Sequence, residues 1–149
     1  MKVIDYKKEH FDDLLDGDLS NGTQKYLYAK QYAGDLEHPG WSYTVIDNGH
    51  LVACVGISEM WQGMGEAWFV GSSRLNKKSR SFLRLAKSGI YERVANEHGL
   101  RRVQAACLAS WPTALRFAKF MGFQEEGLMK AYGQNGEDYI RVAWLNGSN

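Results

Sequence analysis

The sequence predicts a single α+β domain, spanning residues 1–149, built on one mixed, mostly antiparallel sheet. Three observations carry that expectation. Apolar runs that alternate with polar residues flank Asn48-Gly49 and Asn135-Gly136, the dipeptides of tight hairpins. Two stripes of helical period, in 81–98 and 112–121, lie on either side of an apolar run at 103–108. A length of 149 residues suits one sizeable core and is short for two.

In order along the chain, residues 2–6 alternate weakly and read as a short first strand. Residues 7–15 bring Phe11, Leu14 and Leu15 together at helical spacing, and Gly17 ends that helix. Residues 18–40 are polar and rich in tyrosine (Tyr26, Tyr28, Tyr32), with a helix expected near 22–33 and a stop at His38-Pro39-Gly40. Strands follow at 41–46 and 51–61, the second alternating around Ala53, Val55 and Ile57, and Gly63 with Gly65 turns the chain into a third at 66–70. A long helix over 81–98 has Phe82, Leu85, Ala86, Gly89, Ile90 and Val94 as its apolar stripe and Gly99 beyond its end. After the buried strand at 103–108, Pro112 opens a helix with Ala114, Phe117, Ala118 and Met121 inward, and Gly122 closes it. Strands at 124–131 and 138–144 form the last hairpin, in which Ile140, Val142 and Trp144 alternate with Tyr139, Arg141 and Ala143. Trp61, Trp68, Trp111 and Trp144 read as core residues. The element order is β-α-α-β-β-β-α-β-α-β-β, about seven strands and about four helices, with no internal repeat or linker.

The chain lacks several kinds of chemistry. It has no P-loop, no dinucleotide-binding glycine fingerprint, no C-x-x-C and no nucleophile elbow. His10, His38, His50 and His98 are too scattered for a helical metal pair, so no metal is expected. No apolar run approaches the roughly 20 residues of a membrane-spanning helix, and the first residues lack the apolar segment of a secretory signal. Cys54 and Cys107, both in apolar stretches, read as buried reduced thiols in a cytoplasmic protein.

The net charge of +1 conceals a polarised chain. Residues 1–73 carry five Lys/Arg against eleven Asp/Glu, a balance of −6; residues 74–102 carry nine against two, a balance of +7. The basic stretch begins as a small-residue loop that runs from a strand into a helix. A helix N-terminus offers free N–H groups and the positive end of its dipole, and Lys77, Lys78 and Arg80 add cations beside Ser79 and Ser81. The arrangement suits phosphate or pyrophosphate; the alternative is a solvated basic face. The stretch lacks interleaved aromatic residues and any nucleic-acid-binding motif, which argues against a nucleic-acid partner.

Across nearly its whole length the chain resembles the GCN5-related N-acetyltransferases (GNAT). The resemblance lies in the three-strand meander at 41–70, the loop and helix at 74–98, the strand at 103–108, and the ending Ala114, Phe117, Gly122, Phe123 followed by an Asn-Gly hairpin. Within that group, the WFV strand, the basic loop and the RFAKFMGF helix look most like small phage-encoded acetyltransferase-like proteins, including internal virion proteins of T7-like phages, which would place the chain in the host cytoplasm or the virion. Two departures stand out. The loop lacks both family glycines, in either of two registers: Asn76-Lys77-Lys78-Ser79-Arg80-Ser81, or Arg74-Leu75-Asn76-Lys77-Lys78-Ser79. Ala118 stands where many members carry a tyrosine that protonates the leaving thiolate, and Trp111 where an asparagine is common.

The resemblance implies a sheet splayed between its fourth and fifth strands and direct acetyl transfer from acetyl-CoA to a primary amine on a small molecule or protein, by a monomer or homodimer. Backbone groups at Phe69, Val70 and Ser72 would hold the pantetheine arm, the loop from Asn76 to Ser81 would hold the pyrophosphate, and Phe117 would complete the cofactor contacts. Glu59 and Glu66, near the ends of adjacent strands, are alternative general bases. Ser110 would position water or replace the missing tyrosine, and Tyr132 could reach the site from the last hairpin. The acidic surroundings of residues 18–40 (Asp16, Asp18, Asp35, Glu37) would suit a cationic acceptor. The alternative function is a CoA-binding, structural or host-interacting module without turnover.

Overall fold

The described residues form seven strands and five helices, the strands arising where β-branched and aromatic residues alternate between Gly-containing corners. In order these are β1 (Lys2–Asp5), α1 (Lys8–Asp16), β2 (Ser42–Asp47), β3 (His50–Trp61), β4 (Met64–Gly71), α2 (Arg74–Lys77), α3 (Ser79–Lys87), α4 (Ile90–Glu97), β5 (Arg102–Leu108), α5 (Pro112–Phe120), β6 (Gln124–Met129) and β7 (Tyr139–Leu145). The computed structural model describes residues 1–16, 35–77, 79–87 and 89–147. The helix expected near 22–33, with Tyr26, Tyr28 and Tyr32, lies outside the described residues. Seven strands form one sheet in the order β1-β2-β3-β4-β5-β7-β6, antiparallel where β1, β2 and β3 pair and where β5, β7 and β6 pair. β4 and β5 are parallel and pair over three rungs, Met64–Arg102, Gly65–Val103 and Glu66–Gln104, although both strands continue beyond them. A ladder that stops partway is the pairing expected of a sheet splayed at strands four and five.

Packing divides the chain into two compact units, Met1–Ser58 with Trp68–Val94 and Glu59–Ala67 with Ala95–Asn149. In the first, α1 closes over the sheet. Its N-terminus is capped from two directions: the Lys7 N–H donates to His10 Nδ1 (3.0 Å) and the Lys8 N–H to Glu37 Oε2 (2.9 Å). Its apolar side delivers Phe11 and Leu14 to a buried cluster with Tyr6, Cys54 and Val70, against which Leu36, Leu51 and Trp68 pack. Trp68 meets Tyr6 edge-on at 5.2 Å and lies on Gly56, where a Cβ would come within 2.8 Å of the indole. A glycine in mid-strand is thus explained by the ring that covers it.

Both cysteines are free and buried, as the sequence implies. Burial pushes the Cys54 thiol up to about 12, slightly opposed by its hydrogen-bond partner Thr44, and the Cys107 thiol up to about 11, opposed by Arg141. The ordinary thiol value is 9.0, so the unfolded chain ionises first. Each thiol therefore contributes stability that is intact below about pH 9 and is lost as the pH rises towards the folded value. We expect the urea midpoint to fall between pH 9 and 11, with a smaller fall in Cys54→Ala. Identical slopes for both proteins would show that Cys54 does not contribute.

The helix expected over 81–98 is interrupted: Gly89 adopts φ +89° and its N–H donates to the Ala86 carbonyl (3.1 Å), ending α3 before α4 begins. Periodicity hides the break because Phe82, Ala86 and Ile90 stay in phase across it, all three buried. Helical structure also begins earlier than expected, with α2 at Arg74. Trp61, expected in the core, is 59% exposed, since β3 carries it to the end of the strand.

In the second unit β5 is central, paired with β4 on one side and with β7 along its whole length on the other. α5 packs Ala118 inward, starts at Pro112, and ends where Gly122 takes φ +97° and the Phe123 N–H donates to the Ala118 carbonyl (3.0 Å).

Candidate functional site

The phosphate-binding residues expected from the sequence lie where β4 runs into α2 and α3. Phe69 and Val70 are on β4, and the Phe69 ring meets Phe82 of α3 edge-on at 5.5 Å, which orients the helix against the strand. Ser72 is buried at the end of β4. Its N–H donates to the Val52 carbonyl (2.9 Å), its carbonyl accepts from the Leu75 N–H (3.1 Å), and its hydroxyl lies 2.8 and 2.9 Å from the Leu51 and Val52 carbonyls. Ser72 thus anchors the end of β4 to β3, with both backbone groups engaged inside the protein. Arg80 and Ser81 are exposed on α3. Lys78 lies outside the described residues, as do the side chains of Asn76, Lys77 and Ser79.

In the second unit Glu66 is the last β4 residue on the β5 ladder, paired with Gln104. Both its carboxylate oxygens accept from Arg141 Nη1, at 2.9 and 3.0 Å. Arg141 is on β7, directly opposite Ala106 of β5. Its Nη2 donates to the Tyr132 hydroxyl (3.3 Å), and the guanidinium lies 5.6 Å from the Tyr132 ring centroid. Burial opposes the Arg141 charge, but Glu66 and Tyr132 more than offset it, so the guanidinium is held protonated more firmly than usual. A second guanidinium, Arg102, grips Glu126 with two hydrogen bonds (2.6 and 3.0 Å), and its Nε donates to Gln104 Oε1 (3.1 Å). The hydrogen bonds from Arg102 hold the Glu126 carboxyl below its ordinary range.

Glu59 is exposed on β3, without an ion-pair partner among the described residues. It differs in this from Glu66, whose two oxygens are committed to Arg141, so that accepting a substrate proton would disrupt an ion pair. Ser110 is exposed after β5 and does not cap α5: the cap residue is Trp111, with no side-chain hydrogen bond. Phe117 is half-buried on α5. Glu37, one of the acidic residues counted towards an acceptor site, is engaged at the start of α1, with Lys7 Nζ at 3.8 Å. Asp18 and the Asp16 side chain lie outside the described residues.

Sequence reasoning missed the Arg141–Glu66 pair. Its members are 75 residues apart, and the available signal was one charged residue inside the apolar strand YIRVAWL. Among the described residues no group of His, Cys, Asp or Glu is arranged to hold a metal ion, and no helix is long and apolar enough to cross a membrane.

No protein-family model matches the sequence, and no curated protein matches it at a significant level. Solved structures do match. An acetyltransferase of the GNAT family from Bacillus anthracis has a TM-score of 0.66 at 16% identity, over 96% of this chain and 93% of that one. Ard1 from Thermoplasma volcanium has a TM-score of 0.71 at 15% identity, over 97% and 96%. The ribosomal-protein-S18-alanine N-acetyltransferase from Escherichia coli has a TM-score of 0.70 at 12% identity, over 97% and 92%. Identities this low speak to architecture, and the matches extend end to end. The chain has the GCN5-related N-acetyltransferase fold.

Proposed function

We propose that the protein is an acetyl-CoA-dependent N-acetyltransferase that moves an acetyl group directly to a primary amine. The observation that carries this reading is the three-rung parallel ladder of β4 and β5, which leaves β4 from Ala67 onward unpaired with β5 just before it enters the basic α2–α3 segment. In this reading the main chain at Phe69 and Val70 holds the pantetheine arm, and one N–H polarises the thioester carbonyl as charge develops on its oxygen. Asn76, Lys77, Lys78, Ser79, Arg80 and Ser81 take the pyrophosphate, and Phe117 packs against the cofactor. Ser72 supports the arm indirectly, by fixing the end of β4.

The amine nitrogen attacks the thioester carbon, the C–S bond breaks, and the amine loses a proton to a base. Glu59, unpaired among the described residues, suits the base, while Glu66, held by Arg141, suits orientation of a cationic amine. Ser110 positions the water that returns a proton to the thiolate, since Ala118 can supply none. Asp35, exposed near the start of the described segment, and the acidic residues before it favour a cationic acceptor.

A second reading, favoured by Ala118 and by serine and lysine in place of the loop glycines, is a phage-encoded module that binds CoA without turnover. Calorimetry with acetyl-CoA, followed by thiol release with a panel of primary amines and amine-bearing peptides, separates the two. Binding with amine-dependent thiol release is expected. Binding without release would favour the module, and absence of binding would sink both readings.

A further inference from the structure

We propose that α1 is held by a proton-gated capping box: neutral His10 caps the helix, and protonation of its ring releases the first turn and hands the imidazole to Thr44. The proposal does not depend on the acetyl-CoA reading.

Lys7 immediately precedes α1, and His10 is the third residue of the helix. In a capping box, a glutamate or glutamine at that third position reaches back to accept from the backbone N–H of the residue before the helix. Here His10 Nδ1 takes that bond from the Lys7 N–H (3.0 Å), while the His10 N–H donates to the Lys7 carbonyl (2.9 Å). Glutamine would make the same cap without titrating. Histidine ties the cap to a nitrogen that can carry a proton.

The same nitrogen lies 2.8 Å from Thr44 Oγ1 on β2, and that oxygen lies 3.6 Å from Cys54 Sγ on β3. Thr44 and Cys54 are fully buried, so hydroxyl and thiol take their partners from this chain of groups. Nδ1 has one lone pair and Thr44 one hydroxyl proton, which leaves two orientations. In the first, Nδ1 is bare and accepts from Lys7 and Thr44, and the Cys54 S–H donates to Thr44 Oγ1. In the second, Nδ1–H donates to Thr44 Oγ1, the hydroxyl turns its proton to Cys54 Sγ, and the Lys7 N–H faces another N–H. Only the first caps the helix.

Charge around the ring is mixed. Lys7 and Lys8 precede it, and the positive end of the α1 dipole opposes a cation in the first turn. Glu9, Asp12 and Asp13 on α1 favour one, as does Glu37, which accepts from the Lys8 N–H (2.9 Å). β1 contributes Tyr6, whose ring meets the imidazole edge-on at 6.3 Å. Burial lifts the Tyr6 hydroxyl above its ordinary range and the Cys54 thiol to about 12, so both stay neutral where histidines change charge. Phe11, the first side chain of α1 in the buried cluster, follows His10 directly, so the turn released is the one that leads into the core contact.

The test is amide exchange of the full chain followed by NMR from about pH 7.5 to about pH 5, corrected for intrinsic rates, with imidazole nitrogen shifts recorded on the same samples. Nδ1 should be unprotonated at the upper pH, and the Lys7 amide should lose about tenfold in protection at the lower, while the β5 amides keep theirs. His10→Gln should hold Lys7 protection within about twofold across the range. The Cys54 S–H stretch, identified by its loss in Cys54→Ala, should shift with pH in wild type and stay fixed in His10→Gln. Nδ1 protonated at the upper pH, or Lys7 protection that does not change, would overturn the proposal from wild type alone. An equal fall in His10→Gln would also overturn it, by assigning the pH dependence to the surrounding carboxylates.

Discussion

Arg141→Met is expected to destabilise the protein by about 2 kcal/mol. Removing one partner from a fully buried ion pair costs roughly 3–5 kcal/mol, because the remaining charge is left desolvated. The side chains here are 16% (Arg141) and 26% (Glu66) exposed, so water recovers part of that cost. Glu66→Gln should cost about 1 kcal/mol, since the amide oxygen still accepts from Arg141. The double replacement Glu66→Leu with Arg141→Met should return most of the lost stability, because it leaves no charge behind. Urea unfolding of wild type, Arg141→Met, Glu66→Leu and the double replacement forms a double-mutant cycle, with a coupling energy of about 1–2 kcal/mol expected. A single-variant loss below about 0.5 kcal/mol would mean that solvent already satisfies Glu66.

Phe11→Ala should have a larger effect, about 4 kcal/mol. Phe11 is 1% exposed and sits in the cluster with Tyr6, Leu14, Cys54 and Val70. Truncation removes the transfer free energy of the ring and leaves a cavity that the edge-on Tyr6–Trp68 pair cannot readily fill. α1 is only 9 residues long, too short to persist without its packed face. The variant should therefore lose protection of the α1 amides in hydrogen exchange before it loses that of β2 and β3. A variant as stable as wild type, with α1 still protected, would show that the caps at His10 and Glu37 hold the helix by themselves.

The two replacements show how differently the parts of the molecule could be read. Phe11 was legible at once, since three apolar residues at helical spacing name the buried side of a helix. The hairpins at Asn48-Gly49 and the closing of α5 at Gly122 were equally legible, because positive φ angles (+51° and +77° in the first, +97° at Gly122) select their residues locally. The break at Gly89 was not, since one left-handed residue can interrupt a helix without shifting the phase of its stripe. The anchoring role of Ser72 was also hidden: a serine after a strand offers the same hydroxyl to a ligand or to a neighbouring carbonyl.

The sequence by itself determined the order of the seven strands, most of the faces that become core, the two thiols as free and buried, and the location of the basic segment. These follow from periodicity, turn chemistry and charge counts, all of which act within a few residues. Only the tertiary structure decided that Glu66 is bound to Arg141 while Glu59 has no ion-pair partner among the described residues, that Arg102 is held by Glu126, and that the β4–β5 ladder stops at Glu66. The reason is physical: a charge is described by what neutralises it. Here the neutralising group comes from strands that meet only when the sheet forms.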